Sequence, residues 1–287
     1  MVSSGWQDYE LIDSGDGMKL ERYGRYRIVR PEAEAVWQPA LGKQEWEDIH
    51  ARFKPSNEEN GGHWEYVKPI EPRWQMHYHG LGFWVQTTAS RHVGVFPEQS
   101  AQWDWISEQI LSAPSPINVL NLFGYTGLAS LAAARAGAKV THLDASRKVI
   151  LWGQENQKLS GLSDRPIRWI IDDAQKFVQR EIRRGNRYDA IILDPPKFGR
   201  GPKGEIWEFY KLLPDLLNSC GKLLTVHPRF MLLTAYAVKA SALTIKTALD
   251  EIMKPWQGET QCGEIVLLEK SAGRYLSMAV YAAWTSK

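Results

Sequence analysis

The aliphatic run Ala190-Ile191-Ile192-Leu193 ends on Asp194 and breaks at once into Pro195-Pro196-Lys197-Phe198. The run reads as a buried strand. The two prolines fix φ and remove backbone donors, so the chain after Asp194 neither extends the ladder nor starts a helix. A rigid loop with a carboxylate and exposed carbonyls is left at the C-terminal end of a parallel strand, where open α/β sheets hold their ligands. An ordinary strand-ending turn is the alternative for such a triplet in isolation, and the segments upstream weaken it.

The stretch Ile117-Asn118-Val119-Leu120-Asn121-Leu122 runs into Phe123-Gly124-Tyr125-Thr126-Gly127, followed by the helical pattern Leu128-Ala129-Ser130-Leu131-Ala132-Ala133-Ala134. Strand, glycine turn and helix N-terminus together let a ligand approach the backbone and meet free amides. The turn has only G-x-x-G, short of the dinucleotide fingerprint G-x-G-x-x-G, which disfavours a nicotinamide cofactor. A second strand, Lys139 to Leu143, ends on Asp144. An acidic residue about twenty positions after the glycine turn is placed to accept both hydroxyls of a ribose. That pair alone suits NAD equally. A third strand, Ile167 to Ile171, ends in Asp172-Asp173, where a carboxylate can accept from an adenine amino group.

Glycine loop, ribose acid, adenine acid and D-P-P turn on successive strands resemble the class I S-adenosylmethionine-dependent methyltransferases. The closer resemblance is to the bacterial 23S rRNA methyltransferases that modify cytosine C5 or guanine N7. Members carry a similar N-L-F-x-Y-T-G loop, a V-D-x-S second tip, a paired-Asp third tip and D-P-P-K-F. Their G-x-F/Y-x-D-Q-R element is matched by Gly94-Val95-Phe96-Pro97-Glu98-Gln99, with Ser100 where the family has Arg. The resemblance runs from about residue 78 to the C-terminus, and no counterpart of the PUA domain of the larger members is legible.

The resemblance implies S-adenosylmethionine as cofactor. Asn121, Phe123, Gly124, Tyr125, Thr126 and Gly127 would cradle its methionine part, and Asp144 with Ala145 and Ser146 would hold the ribose. Asp173 or Asp172, with Ala174, would meet the adenine, and Glu98 and Gln99 the amino acid end. Asp194, Pro195, Pro196, Lys197 and Phe198 would orient the acceptor. The implied fold is α/β, a Rossmann-like class I sheet with a C-terminal antiparallel hairpin. A small β-rich domain over residues 1–100 precedes the methyltransferase domain over 101–287.

Further elements follow the expected order: helices from Trp103 to Leu111, Arg147 to Leu159, Ala174 to about Arg184 and Ile206 to Asn218. A fifth strand is read at Lys222-Leu223-Leu224-Thr225-Val226-His227, a helix from Ala235 to Ile252, and a closing hairpin at Glu264 to Leu268 and Leu276 to Tyr281. In the N-terminal part, Tyr26 to Arg30 and Gly82 to Thr87 alternate as strands do, separated by prolines and the polar loop Ser56 to Gly62.

With 287 residues, 44% of them hydrophobic, the chain has material for one catalytic domain and a smaller attachment. No apolar stretch reaches the roughly 18 residues of a membrane span. Met1 to Trp6 has no basic region leading into an apolar segment, so no signal peptide is expected. Cys220 and Cys262 make neither a disulfide framework nor a zinc set and read as buried free thiols in strands. A cytosolic protein is expected. His77-Tyr78-His79 would put two imidazoles on one strand face, but no further ligand stands at metal spacing, and no metal is expected.

The net charge of +2 neither demands nor excludes nucleic acid. Arg180, Arg183, Arg184 and Arg187 read as a solvated face. Lys19, Arg22, Arg25, Arg27 and Arg30 punctuate the N-terminal part. Lys197, Arg200 and Lys203, beside the D-P-P turn, suit phosphate contact as well as plain solvation. The tryptophans before the cofactor motifs, Trp6, Trp37, Trp46, Trp64, Trp74, Trp84, Trp103 and Trp105, can stack on bases. Filling a β-rich core is the preferred reading of most.

Cytosine C5 methylation needs a cysteine thiolate to attack C6. The C5 enzymes carry it just after the fifth strand, where this chain reads Leu224-Thr225-Val226-His227-Pro228. An acceptor nitrogen or other heteroatom needs no such help. His227, near the vacated position, is either a base or a structural histidine. The expected function is therefore RNA methylation, on rRNA, at a heteroatom. The alternatives are a protein or small-molecule acceptor, or a non-catalytic RNA-binding protein on the same fold.

Overall fold

The computed structural model describes residues 1–3, 5–56 and 61–287, so Asn57 to Asn60 of the polar loop lie outside the described residues. The chain forms two compact units, Met1–Ala101 with Ile265–Met278, and Gln102–Glu264 with Ala279–Lys287.

In the first unit β1 (Val2–Ser3) runs parallel to Val266 and Leu267. A five-stranded sheet follows in sequence order: β2 (Tyr9–Gly15), β3 (Met18–Tyr23), β4 (Tyr26–Pro31), β5 (Ala51–Pro55) and β6 (Gly62–Tyr66), with the short helix α1 (Lys43–Glu47) between β4 and β5. The hairpin β7 (Trp74–Tyr78) and β8 (Leu81–Val85) turns Trp74, Met76 and Tyr78 inward and leaves Gln75 and His77 exposed, the two-residue period of a half-buried strand. His77 faces Asp8 at 3.4 Å, whereas His79 leaves the strand in a left-handed turn and stacks on Tyr78. The two imidazoles therefore do not share a strand face. None of the eight early tryptophans is exposed, and Trp74 and Trp103 are buried.

The basic residues of this part are tied down within it. Arg25 pairs with Glu71, and Arg27 with Asp48 and Glu45. Arg30 makes a two-pronged contact with Glu21, 2.7 Å on each side, and reaches the Tyr23 hydroxyl. Tyr9 donates to the same carboxylate, and Lys19 stands 3.9 Å from it and 3.1 Å from Glu32. Burial alone pushes the Glu21 carboxyl up, but the Arg30 and Lys19 charges outweigh it and hold it at about 2.

The second unit opens in α2 (Ser100–Leu111) and is a doubly wound sheet. Its elements are β9 (Asn118–Leu122), α3 (Leu128–Arg135), β10 (Lys139–Asp144), α4 (Arg147–Leu159), β11 (Ile167–Ile171), α5 (Ala174–Arg183) and β12 (Ala190–Leu193). There follow the small hairpin β13 (Phe198–Arg200) and β14 (Ile206–Glu208), α6 (Phe209–Gly221), β15 (Phe230–Ala235), α7 (Ala242–Met253), β16 (Gly258–Leu268) and β17 (Tyr275–Ser286). The strand order is β16-β17-β15-β12-β9-β10-β11. Neighbouring strands from β15 across to β11 are parallel, and β17 runs antiparallel to β15. Helix α5 buries Ala174, Phe177, Val178 and Glu181, the spacing of one helical face. It packs on α6, and α6 on α7, while α3 and α4 pack on each other and on β10.

Three sequence expectations are corrected here. Lys222–His227 is not the fifth strand: Leu223 and Leu224 close the end of α6, and only Leu224 bridges to Tyr188. The strand is Phe230–Ala235, every residue buried, in register with β12 from Ala190↔Phe230 onward. Two apolar runs flank Pro228, and only the second has neighbours on both sides. Accordingly α7 starts at Ala242, where Ser241 accepts from the Thr244 amide, instead of at Ala235. Ile206–Glu208 is strand because it pairs with β13, so α6 begins at Phe209. Among the described residues no helix is long and apolar enough to cross a membrane.

Candidate active site

Strands β9 and β12 are neighbours, with β10 and β11 winding to one side and β15 to the other. Such a reversal of strand order opens a crevice at the C-terminal strand ends. The loop after β9 fills one lip. Phe123, Tyr125 and Gly127 have φ of 60°, 51° and 90°. Left-handed backbone at two non-glycine residues costs free energy and persists only when over-determined. Here the Gly124 amide donates to the Leu143 carbonyl, the Gly127 amide to the Gly124 carbonyl, and Asn156 Nδ2 to the Thr126 carbonyl, each at 3.0 Å. Tyr125 N–H donates to Asp144 Oδ2, also at 3.0 Å.

The loop leans on two rings. A Cβ on Gly124 would lie 2.3 Å from the His142 ring, and one on Gly127 2.7 Å from the ring of Trp169. Trp169 is pinned by its Nε1 donating to Gln157 Oε1. Beneath the loop Asn121 Nδ2 donates to Ser130 Oγ, which is 2.9 Å from His142 Nδ1. Nothing in the local sequence marks Ser130, His142, Trp169 or Asn156, because each reaches the loop from another element. A histidine buried in the middle of β10 is the one local signal.

Asp144, half-buried at the tip of β10, accepts the Tyr125 amide on Oδ2 and the Ser146 amide on Oδ1 at 2.9 Å. Burial pushes its carboxyl above the ordinary carboxylate value, against the pull of the Ser146, Tyr125 and Ala145 amides. The two acids after β11 differ. Asp172 is held by Arg180 and accepts the Asp173 amide. Asp173 caps α5, its Oδ1 accepting from the Lys176 amide at 2.9 Å, with Ala174 buried as the first helical residue.

After β12, Asp194 is half-buried and its amide reaches the Leu122 carbonyl at 3.4 Å, which ties the turn to β9. Pro195 is buried, while Pro196, Lys197 and Phe198 are exposed. The Pro196 carbonyl accepts from Trp207 Nε1 at 2.6 Å, and the Trp207 ring lies 5.0 Å from Phe123. Trp207 thus roots the β13–β14 hairpin, whose Arg200 and nearby Lys203 are exposed. Glu98 and Gln99 belong to the first unit, in a 3-10 turn (Pro97–Gln99). Glu98 is 2% exposed and its carboxyl is pushed up by burial, against the pull of Lys19 and Arg30.

His227 does not stand at this crevice. It is exposed before β15 and, with Ile117, Asp189 and Arg229, lines a cavity of about 630 Å³ at the opposite strand ends. Cys220 is buried in α6, not on a strand, and Cys262 is half-buried on β16. The residues after β15 read Tyr236-Ala237-Val238, so the corrected fifth strand is not followed by cysteine either.

The residues present fit a nucleoside cofactor. Asp144 accepts the Tyr125 amide on Oδ2 and the Ser146 amide on Oδ1, and a carboxylate has further lone-pair directions to offer a hydroxyl. The loop beside it is shaped by left-handed backbone, and its two glycines sit directly against the His142 and Trp169 rings. Comparison with known proteins agrees. The S-adenosylmethionine-dependent methyltransferase family matches residues 32–250. A crystal structure of the SAM-dependent methyltransferase from Agrobacterium tumefaciens is 46% identical, with a TM-score of 0.96 over 100% of this chain and 93% of that one. Two curated proteins named ribosomal RNA large subunit methyltransferase K/L are also similar. The one from Shewanella frigidimarina is 38% identical over 110 residues, the one from Hahella chejuensis 33% over 148. The aligned regions take in 38% and 51% of this chain but only 15% and 20% of those relatives' length. An α/β chain with this crevice, this loop and these relatives belongs to the S-adenosylmethionine-dependent methyltransferase family, and its cofactor is S-adenosylmethionine.

Proposed function

We propose that this methyltransferase modifies RNA, with ribosomal RNA as substrate, at a nitrogen or other heteroatom, in the cytosol. The observation that carries the RNA reading is the hairpin β13–β14. It rises directly from the Asp194 turn and sets exposed Lys197, Arg200 and Lys203 beside the crevice. The names of the curated relatives support the same substrate class.

When bound, the cofactor supplies an electrophilic methyl group for in-line displacement. The chain's part is to bind, orient and exclude water. In this reading Asp144 accepts the ribose hydroxyls, and Phe123 to Gly127 with Asn121 shape the seat of the methionine part. Asp173 takes the adenine amine, because Asp172 is spent on Arg180. Asp194 and the Pro195 carbonyl hold the acceptor, with Phe198 and Lys197 at the rim. Burial pushes the Cys220 thiol up, and neither cysteine lies at these strand tips, so the acceptor brings its own lone pair.

Asp144→Ala removes the acceptor for the hydroxyls and is expected to weaken S-adenosylhomocysteine binding by about 1–3 kcal/mol in calorimetry. Wild-type affinity in the folded variant overturns that role. For the substrate, RNA binding is measured against salt for the wild type and the Lys197, Arg200 and Lys203 triple alanine variant. The slope is expected to flatten by up to about 2, since single strands release roughly 0.7 counterion per neutralised phosphate. Equal slopes move the acceptor to a protein or small molecule. Mass spectrometry of rRNA nucleosides with and without the gene then names the modified base.

A further inference from the structure

The end of the sheet away from the crevice carries cations that the neighbouring acids do not answer. Parallel pairing sets the strand beginnings side by side, with Asn118 next to Lys139 and Thr141 next to Arg168. Together with Asn186 and Arg187, from the turn after α5, these residues line a trough of about 560 Å³.

One carboxylate stands among the lining residues, Glu181, and it is wholly buried and already taken. It accepts from the Tyr188 hydroxyl at 2.7 Å, from Asn186 Nδ2 at 2.8 Å and from Arg184 at 3.1 Å, with Arg168 3.7 Å away. Arg184 is accounted for by that bond and by its place at the C-terminal end of α5, where the helix carbonyls favour a cation. Lys139 and Arg187 are not accounted for. Both are exposed, and among the described residues neither pairs with a carboxylate; Arg187 donates to the Asn186 carbonyl at 2.9 Å. Arg25 and Arg27 of the first unit, by contrast, each face an acid.

A run of charge along one helix is ordinarily a solvated face. Here the cations come from β10, β11 and the turn before β12, and they converge on one concave site lined by further polar side chains. That is the electrostatic footprint of a phosphate backbone. Its position sets the size of the ligand. Strand β10 begins at Lys139 and ends at Asp144, five steps of about 3.3 Å, so the trough and the crevice stand about 17 Å apart along the strand. A nucleic acid duplex rising about 3.4 Å per base pair covers that in about five base pairs.

We propose that Lys139, Arg168 and Arg187 form a second phosphate-binding surface, on which a folded RNA rests while another part of it enters the crevice. The substrate is then a structured RNA long enough to span the sheet, not a nucleotide or a short single strand. This deepens the RNA reading given above and rests on it.

The test measures binding of deproteinised large-subunit ribosomal RNA against salt for the wild type and three variants. Lys139→Gln/Arg187→Gln empties the trough of its unanswered cations and leaves Arg168 with Glu181. The triple alanine variant of Lys197, Arg200 and Lys203 removes the rim. Lys43→Gln/Lys54→Gln is the control, taking away two exposed lysines that already have acids, Glu47 and Glu65. The trough variant is expected to lower the salt slope by about 1.4–1.8, two contacts at roughly 0.7–0.9 counterion each. Over the decade from 1 M to 0.1 M salt that is about 25–60-fold in affinity. Its S-adenosylhomocysteine affinity is expected to match the wild type in calorimetry, which also reports that it folds, and the control is expected to keep the wild-type slope. A wild-type slope in the trough variant beside a flattened slope in the rim variant overturns the second surface and leaves the RNA reading standing, the trough then being a solvated face or a protein contact. Wild-type slopes in both overturn the two together. An equal loss in the control also overturns the proposal, because positive charge anywhere on the surface would then serve.

Discussion

Gly127→Val is expected to destabilise the protein by about 2–5 kcal/mol and to weaken S-adenosylhomocysteine binding at least about tenfold. Two costs combine. The residue sits at φ 90°, where a β-branched side chain is strained. Its Cβ would also stand 2.7 Å from one Trp169 ring carbon and 3.1 Å from another. The ring cannot retreat, because Gly153 on α4 packs so closely that a Cβ there would lie 2.5 Å from it, and Trp169 Nε1 is committed to Gln157. Overpacking of that kind costs about 1–3 kcal/mol before the backbone strain is added. Gly161→Ala separates the two costs: it shares a left-handed φ, 67°, but its Cβ would meet nothing within 4 Å. It is expected to lose only about 1 kcal/mol and leave binding unchanged. Urea titration and calorimetry on both variants give the comparison. Wild-type affinity in Gly127→Val would show that the loop need not hold this shape to bind its ligand.

The residues that shape the loop also mark the limit of what the sequence discloses. The β9 turn, the Asp144 tip, α4 and β11 are legible because each is a single contiguous pattern: an aliphatic run, a breaker, then helical spacing. The Asp194 turn is legible for the same reason, its prolines acting locally. The fifth strand is easily misplaced because Lys222–Val226 and Phe230–Ala235 are both apolar runs on either side of Pro228. Only lateral pairing, Ala190 with Phe230 and Val280 with Ala235, chooses between them. A misplaced strand carries His227 with it to the wrong end of the sheet. The absence of cysteine survives the error, since neither segment is followed by one. Spacing leaves the roles of Asp172 and Asp173 open, and it is the helix cap and the Arg180 pair that separate them. Ser130, His142 and Trp169 act on the loop across three elements, a relation no local pattern encodes. The N-terminal basic residues stand in the sequence without any visible partner. Their acids, Glu21, Glu32, Glu71 and Asp48, fold against them only in three dimensions.

Arg30→Met is expected to destabilise the protein by about 3–5 kcal/mol at neutral pH, because it leaves the buried Glu21 carboxylate without its main counter-charge. In the wild type Glu21 is held at about 2 against an ordinary value of 4.5. The depressed value means stability that is fully present above about pH 4.5 and lost as pH falls toward 2. The gap corresponds to about 3 kcal/mol on the linkage scale. Without Arg30 the desolvation of Glu21 is opposed by Lys19, 3.9 Å away, and by the Tyr9 and Tyr23 hydroxyls, so its pKa rises. Glu98, already pushed up by burial and also held down in part by Arg30, moves the same way. Both carboxyls of the variant then gain stability by protonating as the solution is acidified, while the wild type is losing it. The difference between the two proteins is therefore expected to be widest near pH 7 and to narrow steadily below about pH 5. Urea titrations of both at several pH values measure it. A gap that stays constant with pH would mean that Arg30 contributes through packing of its stem rather than through its charge on Glu21.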